Sequence, residues 1–241
     1  VPPSPRISPA EPVYALRQIP IRECGEPLVN YLEACPLLVH DEPVFDYHRE
    51  TLLRRSVVER LCRATELLPK GIRFAVIEGW RGLHIQRRMY RRSWEWWRNR
   101  HPEWSETTLK RVVNRYTAPP DHPRVPPPHL TGGALDVVLI RDDGVYLDLT
   151  SPYERLDPRC YVTDAPLLGE EARANRRLLR GTLAEVGITN YPSEYWHYSF
   201  GDQGWAYRGS HPEAVYGPIE PPNWRPDPRD DVDEPVRRVE R

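Results

Sequence analysis

From residue 51 onward the apolar positions follow two alternating periods. In TLLRRSVVERLCRATELL (51–68), Leu53, Val57, Leu61, Ala64 and Leu68 recur along one helix face, and Pro69 and Gly71 end the run. IRFAVIEGW (72–80) reads as a strand that closes in a Gly turn. A second helix is predicted over about 83–99, carrying Met89, Tyr90, Trp94 and Trp97. A shorter one follows Ser105 as N-cap, with Leu109, Val112, Val113 and Tyr116. APPDHPRVPPPH (118–129) is too rich in proline for a helix or an inner strand and is predicted as an extended loop. Two strands come next, ALDVVLI and VYLDL, joined through RDDG as a hairpin. A helix over about 170–186 ends with Gly187 as its C′ residue, and the aromatic run of PSEYWHYSFGD forms the last strand. Helices first, then an antiparallel sheet with one more helix between its strands, predict an α+β fold. The expected architecture is a single domain with helices packed on a small antiparallel sheet.

The two ends lack this patterning. Residues 1–13 read as a Pro-rich extension, 14–220 as the folded domain, and 221–241 as a flexible tail of proline and charge, unable to offset its ordering entropy. With 241 residues the chain can build one core of its own. Thirty-four basic residues nearly cancel thirty-five acidic ones, which argues against a nucleic-acid or membrane-surface binder. All but two of the basic residues are Arg, so a single Arg carries little weight. No apolar run approaches the roughly eighteen residues of a membrane span. The first residues lack the basic start and apolar centre of a secretory signal. A cytoplasmic protein is therefore expected, or an exported one if a signal has been removed. Cys24, Cys35, Cys62 and Cys160 are scattered with no C-x-x-C pair, which favours reduced thiols, with one or two disulfides as the alternative.

Three segments carry groups that are costly to bury. In HLTGGALDVVLI, Asp136 lies in a run that is apolar on both faces, so its carboxylate needs a cation, hydrogen bonds or a metal. His129 lies seven residues earlier, beyond Gly132 and Gly133, whose flexibility lets it approach Asp136. Alone, this segment also reads as an Asp paired with an Arg beside a surface His. In PSEYWHYSFGD, Pro192 and Ser193 predict a turn that sets Glu194 at the strand entry while His197 projects from the strand. Alone, these read rather as a hydrogen-bonded core His and a solvated Glu. Together, His129, Asp136 and His197 make three N/O ligands and leave a fourth position for water, the ligand count of a catalytic zinc site, with Glu194 at hand as general base. Arg81, on the Gly-flanked turn of VIEGWRG, could stabilise an oxyanion, or be one more surface Arg.

Taken in order, EGWRG, HLTGGALDVVL and EYWHY resemble the zinc D-alanyl-D-alanine dipeptidases, over roughly residues 20–217. The resemblance implies one Zn2+ on His129, Asp136 and His197, at the sheet. It also implies Glu194 as general base and then acid, and Arg81 polarising the scissile carbonyl. The implied substrate is a free D,D-dipeptide, above all D-Ala-D-Ala, with its ammonium held by Glu154 in LTSPYERL. Two departures from the family pattern bear on substrate preference. Thr150 and Glu154 replace the usual run of Gly, Ser and later Asp, and PPPH replaces a Ser-rich approach to the first His. A zinc D,D-carboxypeptidase or peptidoglycan endopeptidase would share the metal site but act on a longer substrate. A non-enzymatic zinc-binding or cell-wall-fragment-binding protein would keep the fold without the chemistry.

Overall fold

The computed structural model describes residues 11–41, 47–155 and 157–231. Its strands are β1 (Leu28–Asn30), β2 (Val39–His40), β3 (Leu52–Arg54), β4 (Ile72–Glu78), β5 (Ala134–Arg141), β6 (Thr189–Asn190) and β7 (His197–Ser199). Its α-helices are α1 (Val13–Leu16), α2 (Tyr31–Ala34), α3 (Arg55–Thr65), α4 (Leu83–Arg100), α5 (Glu106–Tyr116), α6 (Glu170–Glu185) and α7 (Gln203–Arg208). The α+β expectation holds. A five-stranded sheet runs in the order β2-β4-β5-β7-β6, and β1 pairs with β3 beside it. The larger sheet is antiparallel except at one edge, where β2 runs parallel to β4.

The central strand β5 is apolar on both sides because each side is covered. Leu135, Val137 and Leu139 are fully buried and join one core with Phe74 and Val76 of β4, Val57 and Leu61 of α3, and Leu179 and Leu183 of α6. Burying a side chain of this size stabilises the fold by roughly 1.5–3 kcal/mol. Asp136 alternates to the opposite face. Helix starts and ends follow the expected chemistry at two places. Ser105 Oγ accepts the Thr108 N–H ahead of α5, and Gly187 takes φ +78° beyond α6, where a side chain would be strained.

Several elements differ from expectation for tertiary reasons. The predicted helix over 51–68 begins only at Arg55, because Leu52–Arg54 pair antiparallel with Leu28–Asn30. The strand expected in VYLDL reduces to one bridge, Ile140 to Tyr146, although the RDDG turn does form, with Arg141 N–H donating to Val145 O at 2.8 Å. Cys35 and Cys62 form a disulfide with Cα atoms 5.7 Å apart, so the favoured reduced state gives way to the alternative for this pair. Cys24 and Cys160 are free.

At the chain ends, residues 11–13 and 221–231 are described and pack against the body. Glu11 pairs with Arg208. Trp224 meets Trp80 edge-on at 4.9 Å and donates its indole N–H to Glu50 at 2.7 Å. Asp230 is buried and accepts the His48 N–H at 3.0 Å. The rest of the expected extension and tail, 1–10 and 232–241, lies outside the described residues.

Candidate metal centre and cleft

The sheet brings the site together by register. Across β5 and β7, Asp136 stands opposite His197, and across β4 and β5 it stands opposite Glu78. The second pairing depends on a bulge between Val76 and Glu78, which turns Glu78 onto the face of Asp136 while Val76 keeps its place beside Val137. Glu78, Asp136 and His197 therefore form one row over three neighbouring strands.

His129 reaches the row from the 3₁₀ turn Pro128–Thr131. The chain returns to β5 through Gly132, at φ +69°, and a Cβ there would meet Leu28 at 2.4 Å. At Gly133 a Cβ would meet the Phe200 carbonyl at 2.5 Å. Both positions exclude a side chain, which is why the pair of glycines precedes the strand. Arg54 fixes this turn from below, donating Nε–H to Thr131 O at 2.8 Å.

His129, Asp136 and His197 offer one ligand atom each, all within 4.8 Å of one another. His129 Nε2 lies 3.4 Å from Asp136 Oδ1, close to the roughly 3.3 Å edge of a tetrahedron with zinc bonds of about 2.0–2.1 Å. His197 Nδ1 lies 2.9 Å from the same oxygen. The other nitrogen of His129, Nδ1, is 2.8 Å from Gly79 O, so the backbone carbonyl turns Nε2 inward. Burial raises the proton affinity of Asp136, but the two imidazoles beside it win, and its carboxyl is held well below its ordinary value. Two imidazoles and an ionised carboxylate on three rigid elements suit a divalent ion of zinc's type. Among the described residues this is the one such cluster.

Glu194 follows the Pro192–Ser193 turn and precedes β7, as expected. Asn190 holds this turn closed, donating to the carbonyls of Glu194 at 2.9 Å and His197 at 3.0 Å. Burial, and after it the charge of Asp136, pushes the Glu194 carboxyl well above its ordinary value. A group of high proton affinity beside a metal site is suited to take a proton from water. Arg81 is mostly covered, its side chain 10% exposed, with Nη1 2.8 Å from Glu78 Oε2. Burial opposes its charge, yet Glu78, then Tyr47 and Asp136, raise its pKa above the ordinary value, so it stays a cation.

These groups line one cleft of about 490 Å³. Its sheet wall carries the row just described, and its helical wall carries Met89, Trp96, Trp97, Arg115 and Tyr116. Tyr195 and Trp196 also line it, whereas Tyr198 turns into the core. The structure thus brings together five of the six residues singled out from sequence. Glu154 stands apart: it is exposed and is not among the residues lining the cleft. Sequence reasoning missed Tyr47, which donates to Glu78 at 2.5 Å, and Asn190. Tyr47 lies thirty-one residues from Glu78, with no local signal to link them. Asn190 does have one, as an amide-bearing residue just ahead of a Pro-Ser turn.

A family model described as D-Ala-D-Ala dipeptidase, Peptidase M15, matches residues 42–215. A D-alanyl-D-alanine dipeptidase from Synechocystis sp. (strain ATCC 27184 / PCC 6803 / Kazusa) is 30% identical over 235 residues, covering 84% of this chain and 95% of that protein. Two solved structures show a distant likeness at 13% identity. One is the vancomycin resistance D,D-pentapeptidase VanY, a mutant in complex with Zn(II), with a TM-score of 0.42 over 83% of this chain and 96% of that one. The other is the LdcB LD-carboxypeptidase, with a TM-score of 0.43 over 80% and 76%.

Proposed function

Since the chain belongs to the D-Ala-D-Ala dipeptidase family of metallopeptidases, we propose that this cleft hydrolyses D-Ala-D-Ala with one zinc ion held by His129, Asp136 and His197. The observation that carries the assignment of residues is the convergence of three ligand atoms within 4.8 Å beside a buried Glu194. When bound, zinc supplies Lewis acidity and lowers the pKa of a coordinated water to about 7.

The chain's own groups do the rest. Glu194 takes a proton as water attacks the scissile carbonyl, and its raised proton affinity favours that transfer. It then returns the proton to the amide nitrogen, so that the C–N bond breaks and two D-alanine molecules leave. Arg81, fixed by Glu78, donates to the oxygen on which charge develops. The Gly79 carbonyl keeps the His129 ring in one orientation, so the ligand set is preorganised.

The test is turnover of D-Ala-D-Ala by the purified protein with zinc, with a chelator, and with zinc restored. Turnover that a chelator abolishes and zinc restores supports the reading; turnover indifferent to both overturns the metal assignment. One observation favours a second reading, a carboxypeptidase on N-acylated D-Ala-D-Ala. The aromatic wall of Trp96, Trp97 and Tyr116 offers apolar surface beyond the metal ligands. Faster hydrolysis of the acylated compound than of the free dipeptide would establish that reading instead.

A further inference from the structure

A free dipeptide carries a terminal carboxylate, and its anchor has to lie within one residue of the scissile bond. The carboxylate carbon is two bonds beyond the scissile nitrogen, and adjacent Cα atoms are only about 3.8 Å apart. Four arginines line the cleft: Arg81, Arg92, Arg115 and Arg155. Three of them have partners already. Arg81 is paired with Glu78, Arg155 stands 3.6 Å from Asp41 and over the Tyr146 ring, and Arg92 has a partner of its own.

Arg115, in the last turn of α5, differs. Its Nε is buried with no hydrogen-bond partner, and its guanidinium stands 5.6 Å from the Tyr116 ring centroid, but among the described residues no carboxylate forms an ion pair with it. An unpaired Nε is not distinctive by itself: Arg49, Arg60 and Arg98 share it away from the cleft, and Arg81 shares it within the cleft but is held by Glu78 through Nη1. The position of Arg115 is also tied to the site. Tyr191 donates its hydroxyl to Arg115 O at 2.9 Å, and the Tyr191 ring lies 5.9 Å from the ring of His197. Tyr191 N–H donates to His197 O at 2.9 Å, so Arg115, Tyr191 and the ligand strand are linked by hydrogen bonds.

We infer that Arg115 anchors the terminal carboxylate of the dipeptide and so makes the cleft selective for substrates that end in a free acid. This rests on the proposed dipeptidase reading. A planar guanidinium suits two parallel bonds to a carboxylate, and such charge-assisted pairs are the stronger hydrogen bonds. The interaction is the same before and during bond cleavage, so its loss falls on KM and leaves kcat.

The experiment compares D-Ala-D-Ala with its C-terminal amide on the zinc-loaded protein and on Arg115→Gln and Arg115→Lys. Arg115→Gln is expected to raise KM for the acid about 10- to 100-fold with kcat within about threefold, and to leave the amide unchanged. Arg115→Lys, which keeps the charge, is expected to recover part of the loss for the acid alone. Equal loss on acid and amide in both variants would mean a structural role and overturn the anchor. A wild-type protein that cleaves D-Ala-D-Ala with no preference over the amide overturns the anchor alone. A wild-type protein that cleaves neither overturns the dipeptidase reading and the anchor with it.

Discussion

Two kinds of arginine set this molecule's fold apart from its chemistry. Arg176 spends every nitrogen on backbone: Nε on Leu149 O, Nη1 on Val162 O and Thr163 O, and Nη2 on Cys160 O, all at 2.7–3.0 Å. Its guanidinium also lies 4.0 Å from the Tyr195 ring centroid. Arg54 is engaged likewise, by Thr131 O, Glu23 and Gly217 O. Arg81 and Arg115, in the cleft, each leave a buried Nε unpaired. A buried donor left unsatisfied costs about 1–3 kcal/mol. The satisfied pair holds loops in place, whereas the unfinished pair lines the cleft.

This contrast can be broken by mutation. The largest effect should come from Glu194→Gln, which keeps the shape of the turn and removes the proton acceptor. Its kcat should fall by about 10³-fold, as read by single-turnover hydrolysis, with zinc content unchanged. Arg81→Lys keeps a positive charge beside Glu78 but loses the planar fork, and should lower kcat by about 10²-fold with a small change in stability. Arg176→Met should do the opposite. Four carbonyls would lose their donor, so denaturant unfolding should show a loss of about 3 kcal/mol, while activity per folded molecule stays the same. If Arg176→Met lowered kcat and Arg81→Lys lowered only stability, the division between the two kinds would fail.

The smallest effect concerns Glu26. Burial raises its proton affinity, but the Ser56 hydroxyl and N–H, Tyr216 and Arg54 outweigh that and hold its pKa below the ordinary value. Its folded pKa is depressed, so its contribution to stability is present above about pH 4.5 and is lost as the pH falls through the folded value. Glu26→Gln should therefore be less stable than the wild type at pH 7, with the difference shrinking below about pH 4 in paired denaturation curves.

Legibility from sequence followed the range of the interactions. The apolar period of the ligand strand, the Ser105 cap and the turn ahead of Glu194 rest on patterns within a few residues, and each was readable; the glycine pair could be seen, but not the Leu28 and Phe200 contacts that require it. Asp136 and His197 could be expected together as a shared function, but the place of Glu78 in their row could not, because the bulge that aligns it appears when two strands pair. The β1–β3 ribbon, the Cys35–Cys62 bridge and the bond from Tyr47 to Glu78 link positions 22 to 31 residues apart, with no periodicity to announce them. Leu52–Arg54 read as helix because Leu53 fits the helical period of the following turns, yet their partner strand decides their conformation. Glu154 was placed by likeness of a short motif alone, and a motif of that length does not say which way its loop presents a side chain.

The packing of Trp224 has a practical consequence. Residues past 220 look like trimmings that a crystallographer or protein engineer would remove to obtain a tidier protein. Yet Trp224 lies against Trp80, the residue before Arg81, and its ring tip is where a Cβ on Gly82 would sit, at 2.7 Å. Cutting the chain there would strip the outer support from the turn that aims the cleft arginine. Such a shortened protein could fold, bind its metal and still turn over slowly, and the fault would be sought in the wrong half of the molecule.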